Sequence, residues 1–180
     1  MSGKQDGERD GKRERRLVLV RHAKAVPKGD AEDFERPLAD RGRADAEAMG
    51  HRLGGSPLGV GLVLCSPAKR TRQTWQLMEP PLSDRPPVVY PDELYDADAE
   101  ALRAAVAGTD DGVTGLLLVG HNPAIHDLAA ALPGDGPPEL LERIRTGLPT
   151  CAVVVLDLTG GWPDLAPGTC RLTALHTPAD

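Results

Sequence analysis

The chain has 180 residues, a formal net charge of -6 and an isoelectric point of about 5.4. That length suits one domain of ordinary size, and the acidic balance speaks against a general nucleic-acid binder, which would carry a basic face. Hydrophobic residues make up 40% of the chain but aromatics only 3%, so the core must be built from Leu, Val and Ala, and any anion site must be made locally against the overall field.

Residues 1–16 hold six basic and four acidic side chains. No apolar run long enough for a signal peptide or a membrane span follows. This segment is expected to be a disordered tail, no membrane partner is expected, and the cytoplasm is the expected location. Cys65, Cys151 and Cys170 are an odd number without Cys-x-x-Cys spacing. They suit free thiols in a reducing compartment rather than a disulfide frame or a zinc site.

From residue 17 onward, strands and helices alternate. Leu17–Val20 is an apolar run of strand length. Residues 40–53 predict a helix, with Ala44, Ala48, Met49 and Leu53 at helical spacing and Gly54-Gly55 as its stop. Leu62–Cys65 is a second short strand, and Ser66-Pro67 is expected to open a helix, with Ser as cap and Pro at the first helical position. Val88–Tyr90 predicts a third strand, residues 98–107 an Ala-rich helix, and Leu116–Val119 a fourth strand. Asn122-Pro123 repeats the cap-plus-Pro start, and Ile125, Leu128, Ala129 and Leu132 mark one apolar face. Residues 133–149 are expected to form a surface excursion with a short helix at Glu139–Arg145. Ala152–Leu158 and Arg171–His176 are the last strands. Near-continuous apolar strands separated by helices predict an α/β sheet buried on both faces.

In such a sheet, ligands bind at the carboxyl ends of the strands. Three strands end in unusual residues. The first ends in Arg21-His22, the second in Ser66-Pro67 with Arg70 close behind, and the fourth in His121-Asn122-Pro123. If these strands are neighbours, two histidines, two arginines and two helix N-termini converge on one spot. Such a spot would hold a dianion, most simply phosphate, because the planar guanidinium fork meets two phosphate oxygens at once. One imidazole can attack phosphorus as a neutral nucleophile, and the other, protonated, can stabilise charge on the equatorial oxygens. Each of these residues alone would more simply be structural; the force lies in their coincidence. His51, His126 and His176 lack this context and are expected to be structural or exposed.

These residues carry a resemblance. Arg21-His22-Ala23, "RPLADRG" at residues 36–42, "CSPAKRTRQT" at 65–74 and "VGHNP" at 119–123 resemble, in order, four segments of the histidine phosphatase superfamily. Within it they resemble the small phosphohistidine phosphatases of the SixA type. Ala23 stands where the superfamily usually has Gly, and Ala39 where it usually has Thr or Ser, so Asp40 is the alternative cap there. The resemblance covers about residues 16–178. It implies a three-layer α/β/α fold with a mostly parallel central sheet, phosphoglycerate mutase-like, as a single domain over residues 17–178. It further implies phosphoryl transfer without metal or other cofactor. His22 would be the nucleophile, with Arg21, Arg70 and His121 holding the phosphoryl group. Glu93 in "PDELYDA" matches the position of a carboxylate that protonates the leaving oxygen in many members. A helix cap or an ion pair is the other reading of Glu93, and an ion pair is the expected place of Arg36. The implied substrate is phosphohistidine on a protein, and the implied assembly a monomer or small homo-oligomer.

Other readings fit less well. A cysteine phosphatase needs Cys-x5-Arg, but Arg70 falls one position short of that spacing from Cys65, and Pro67 removes an N–H from the loop. A sibling acting on small phosphate monoesters is the nearest alternative, although Lys24 stands where mutases often carry Glu. A non-catalytic phosphate-binding module would be expected to have lost one of the four core residues. A two-histidine metal site would set a divalent cation between Arg21 and Arg70.

Overall fold

The computed structural model describes residues 13–29 and 31–180. Seven strands form one sheet: β1 (Glu14–Arg21), β2 (Leu62–Cys65), β3 (Val88–Val89), β4 (Gly115–Gly120), β5 (Pro133–Asp135), β6 (Val153–Thr159) and β7 (Cys170–His176). Five α-helices accompany them: α1 (Asp40–Leu53), α2 (Lys69–Met78), α3 (Ala99–Ala107), α4 (Ala124–Ala131) and α5 (Pro138–Thr146). The strand order is β3-β2-β4-β1-β6-β7-β5. β2, β3, β4 and β1 run parallel, and β6 alone runs against both its neighbours.

Alternation along the central strands builds the three layers, because successive side chains leave a strand on opposite faces. Leu17, Leu19, Leu116, Leu118, Val154 and Leu156 face one core, which holds Leu102 and Val106 of α3, Ile125 and Leu128 of α4 and Ile144 of α5. Val18, Val20, Leu117, Val119, Val153 and Val155 face the other, with Met49 of α1 and Trp75 and Met78 of α2. Both sheet faces are thus covered, as continuous apolar strands require. No helix among the described residues is long and apolar enough to cross a membrane.

Several expectations differ from the structure. The charged tail was expected to run to residue 16; residues 1–12 lie outside the described residues, but Glu14–Arg16 belong to β1. Arg15 is 4% exposed, where its guanidinium meets Asp111 and the Gly160 carbonyl. Arg16 pairs with Asp157 at 2.9 Å. The charges are neutralised by partners distant in sequence, so composition misses the strand. The helix after Ser66 begins at Lys69 with Ala68 at its cap, and the one after Asn122 begins at Ala124 with Pro123 at its cap; neither has a side-chain cap. α1 likewise starts without one, at Ala39. The excursion after residue 133 contributes an edge strand, β5, beside β7.

Candidate active site

β2, β4 and β1 are adjacent in the sheet, so the three unusual strand ends share one rim. Backbone bonds hold them level. The His22 N–H donates to the Gly120 carbonyl at 3.1 Å and the Ser66 N–H to the Val119 carbonyl at 3.0 Å. In this frame the His22 and His121 rings lie with centroids 5.3 Å apart. The structure thus brings His22 and His121 together, with Arg21 and Arg70 near enough to act on the charge of His22.

The His22 ring is oriented by its own backbone. Nδ1 lies 2.7 Å from the Ala23 carbonyl oxygen, which can only accept. The proton sits on Nδ1, and Nε2 carries a free lone pair. Burial pushes the His22 imidazole down to about 4, the nearby Arg70, Arg21 and Arg36 cations act in the same direction, and the bond to Ala23 opposes them. Thr74 fixes the turn after it by accepting from the Ala23 N–H at 2.9 Å while donating to the Arg70 carbonyl at 2.7 Å.

His121 is held from the neighbouring strand end, with Nε2 2.7 Å from Ser66 Oγ. Burial, then His22 and Arg70, push this imidazole down to about 3. It is neutral in the free protein at pH 7, whereas a protonated partner was expected from sequence. Ser66, expected as a helix cap, instead serves this ring. Asn122, expected in the same role, donates to the Leu148 carbonyl at 3.1 Å.

Arg21 donates to that same Leu148 carbonyl at 2.8 Å. The buried Nε atoms of Arg21 and Arg70 and Nδ1 of His121 have no hydrogen-bond partner among the described residues. As unpaired nitrogens beside His22, these are groups that a bound anion can engage.

Asp33 joins the site without a sequence signal of its own. It lies in a 3-10 turn, Asp33–Glu35, between β1 and α1. Arg70 donates to its carbonyl at 2.7 Å and to Oδ2 at 3.1 Å. The Tyr95 hydroxyl donates to Oδ2 at 2.5 Å. Arg36 donates to Oδ1 from Nε at 3.0 Å and from a terminal nitrogen at 2.9 Å. The Tyr95 hydrogen bond, with Arg36 and Arg70, holds this carboxyl far below the usual carboxylate range. The Tyr95 ring stands edge-on to His121 with centroids 5.9 Å apart. Glu93 is exposed, on the turn Asp92–Leu94 just before Tyr95, and takes part in none of these contacts.

Other residues of the four segments act as scaffold. Gln73 accepts from the Leu38 N–H at 2.8 Å, tying α2 to the start of α1. A Cβ on Gly42 would lie 2.0 Å from the Lys24 carbonyl oxygen, so only glycine lets α1 approach the chain just past His22. The cysteines are free and buried, and burial pushes the Cys65 thiol up to about 12. His126 is bound to the Ile144 carbonyl at 2.7 Å.

Known proteins resemble this chain in sequence and fold. A model of the histidine phosphatase superfamily (branch 1) matches residues 17–103. An uncharacterized protein of Mycobacterium tuberculosis is 38% identical over 162 residues, spanning 88% of this chain and 99% of that one. A structure of a candidate phosphohistidine phosphatase SixA from Nakamurella multipartitia matches with a TM-score of 0.77 and 32% identity, covering 93% of this chain and 98% of that one. Its counterpart from Agrobacterium tumefaciens matches with a TM-score of 0.75 and 32% identity, covering 91% and 98%. The protein histidine phosphatase SixA complexed with tungstate shares the fold, with a TM-score of 0.71 and 24% identity over 91% and 97% of the two chains. On these matches the chain belongs to the histidine phosphatase superfamily, in its SixA-type group, and is a phosphatase.

Proposed function

We propose that this phosphatase removes phosphate from phosphohistidine of a protein, through a phosphohistidine formed on its own His22 and without a metal. The observation that carries this reading is the His22 ring itself: neutral, with Nδ1–H tied to the Ala23 carbonyl and the Nε2 lone pair free. Nε2 forms a bond to phosphorus as the substrate P–N bond breaks, and the bonding pair leaves on the substrate imidazole. Water then attacks the phosphorus, the electron pair returns to His22 Nε2, and phosphate departs. Arg21 and Arg70 balance the equatorial charge. His121 takes up a proton as the dianion enters, because an adjacent negative charge raises an imidazole pKa.

Two guanidiniums supply the charge that a divalent cation would otherwise bring, and would repel one. The SixA-type relatives support a P–N substrate. Glu93, exposed two positions before Tyr95, has a proton-transfer part only toward P–O esters, whose leaving oxygen needs a proton. The buried free thiols suit a reducing compartment such as the cytoplasm.

The test compares hydrolysis of phosphoimidazole or a phosphohistidine peptide with that of a P–O monoester, in chelator, for the unmodified protein and His22→Ala. P–N turnover that vanishes in the variant is expected. Turnover of the monoester alone would move the activity to small phosphate esters. Phosphate binding without turnover of either would leave a binding module.

A further inference from the structure

We propose that Asp33 selects the leaving group, favouring a phosphoramidate whose departing nitrogen base carries a proton over phosphate esters that bear further negative charge. This rests on the P–N reading above and concerns the same pocket. Asp33 is the one carboxylate bonded to Arg70 or Arg21 among the described residues, its Oδ2 accepting from Arg70 at 3.1 Å while its main-chain carbonyl accepts a second Arg70 bond at 2.7 Å. Its side chain is 38% exposed while that of Arg70 is 7% exposed. The carboxylate is thus the more exposed member of the pair, and on this reading the substrate's other half lies beside it.

Three cations face the pocket, Arg21, Arg70 and Arg36, and Asp33 is bonded to two of them. Arg70 keeps its Nε without a partner among the described residues, so its guanidinium can bridge Asp33 and a phosphoryl oxygen. The carboxylate stays ionised because Tyr95, Arg36 and Arg70 all donate to it.

The chemistry then separates two leaving groups. In a phosphoimidazole protonated at its second nitrogen, the ring is cationic before the reaction. His22 Nε2 bonds to phosphorus, the P–N bond breaks, and its electron pair neutralises that ring, so no proton has to be delivered. A fixed anion beside the cationic ring attracts it. An ester's bonding pair leaves on oxygen and needs a proton, which an ionised Asp33 lacks. A carboxylate elsewhere on the ester is repelled besides.

The experiment uses the full chain. The kcat/KM for phosphoimidazole is measured together with the competitive inhibition constant of phosphoglycolate, an ester carrying a carboxylate. Asp33→Asn should lower the first and tighten the second, so that preference shifts toward the ester by about fivefold or more, as expected for one nearby charge. Tyr95→Phe leaves the carboxylate in place and should keep the preference. If Asp33→Asn does not fold, Asp33→Ser is read instead. Phosphoimidazole turnover with a smaller shift, or one in the opposite direction, overturns the inference alone. No phosphoimidazole turnover by the unmodified protein overturns the P–N reading and this inference with it.

Discussion

Ser66 Oγ lies 2.7 Å from His121 Nε2, joining the ends of two neighbouring strands across 55 positions of sequence. The contact fixes the plane of a buried imidazole whose other nitrogen has no partner among the described residues. A side chain that would ordinarily begin a helix is spent on orienting the site.

Ser66→Ala should therefore act on activity more than on folding. Loss of the hydroxyl leaves Nε2 buried without its partner, at a cost of about 1–3 kcal/mol. A kcat/KM lower by about tenfold is expected, with a modest fall in melting temperature. Unchanged kinetics would mean that His121 is oriented by something else.

The pH dependence follows from His22. The neutral ring is the reactive form, and it titrates at about 4 rather than 6.5. The kcat/KM should fall as the pH drops through about 4, where the reactive neutral ring is lost. Stability should follow the same direction. Between 6.5 and about 4 the unfolded chain binds a proton that the folded chain refuses. Folding stability is thus full above 6.5 and declines as the pH falls toward about 4, by on the order of 3 kcal/mol. Urea midpoints across this range would check it, and His22→Gln should reduce the decline, leaving the part that belongs to His121, which is lowered to about 3.

Gly42→Ala should disturb the site from a distance. The added Cβ would meet the Lys24 carbonyl at 2.0 Å, and neither α1 nor the backbone past His22 can yield freely. A loss of about 1–3 kcal/mol is expected from overpacking, with activity reduced at temperatures where the variant is still folded. Gly108→Ala is the control: its Cβ would find only ordinary contacts at 3.6 Å, and its effect should stay within about 0.5 kcal/mol.

Cys65→Ala should leave turnover intact. The thiol is buried and held well above its ordinary pKa, so no thiolate is on hand as a nucleophile. Retained kcat/KM, and resistance of the folded protein to iodoacetamide, are expected. Complete loss of turnover in a folded variant would make Cys65 the nucleophile.

Much of the architecture follows from local pattern. The apolar runs at Leu62–Cys65 and Leu116–Val119 are strands because continuous Leu and Val suit a sheet buried on both faces. α1 has the bounds its spacing predicts, Asp40–Leu53. Local pattern misled where a polar side chain chose between a backbone N–H and a distant partner. Ser66 and Asn122 have capping chemistry, yet Ser66 turned to His121 and Asn122 to Leu148.

Sequence by itself determined most of the strands and the strand ends near which Arg21, His22, Arg70 and His121 stand, because strand period and ordered short segments are properties of neighbouring positions. Only the tertiary structure decided that β2, β4 and β1 stand side by side, that His121 is neutral when free, and that Asp33 sits against Arg70 from 37 residues away and Tyr95 against Asp33 from 62. The physical reason is the same in each case. Burial and hydrogen-bond partnership are set by what the folded chain brings within about 3 Å, and no spacing along the chain encodes such an encounter.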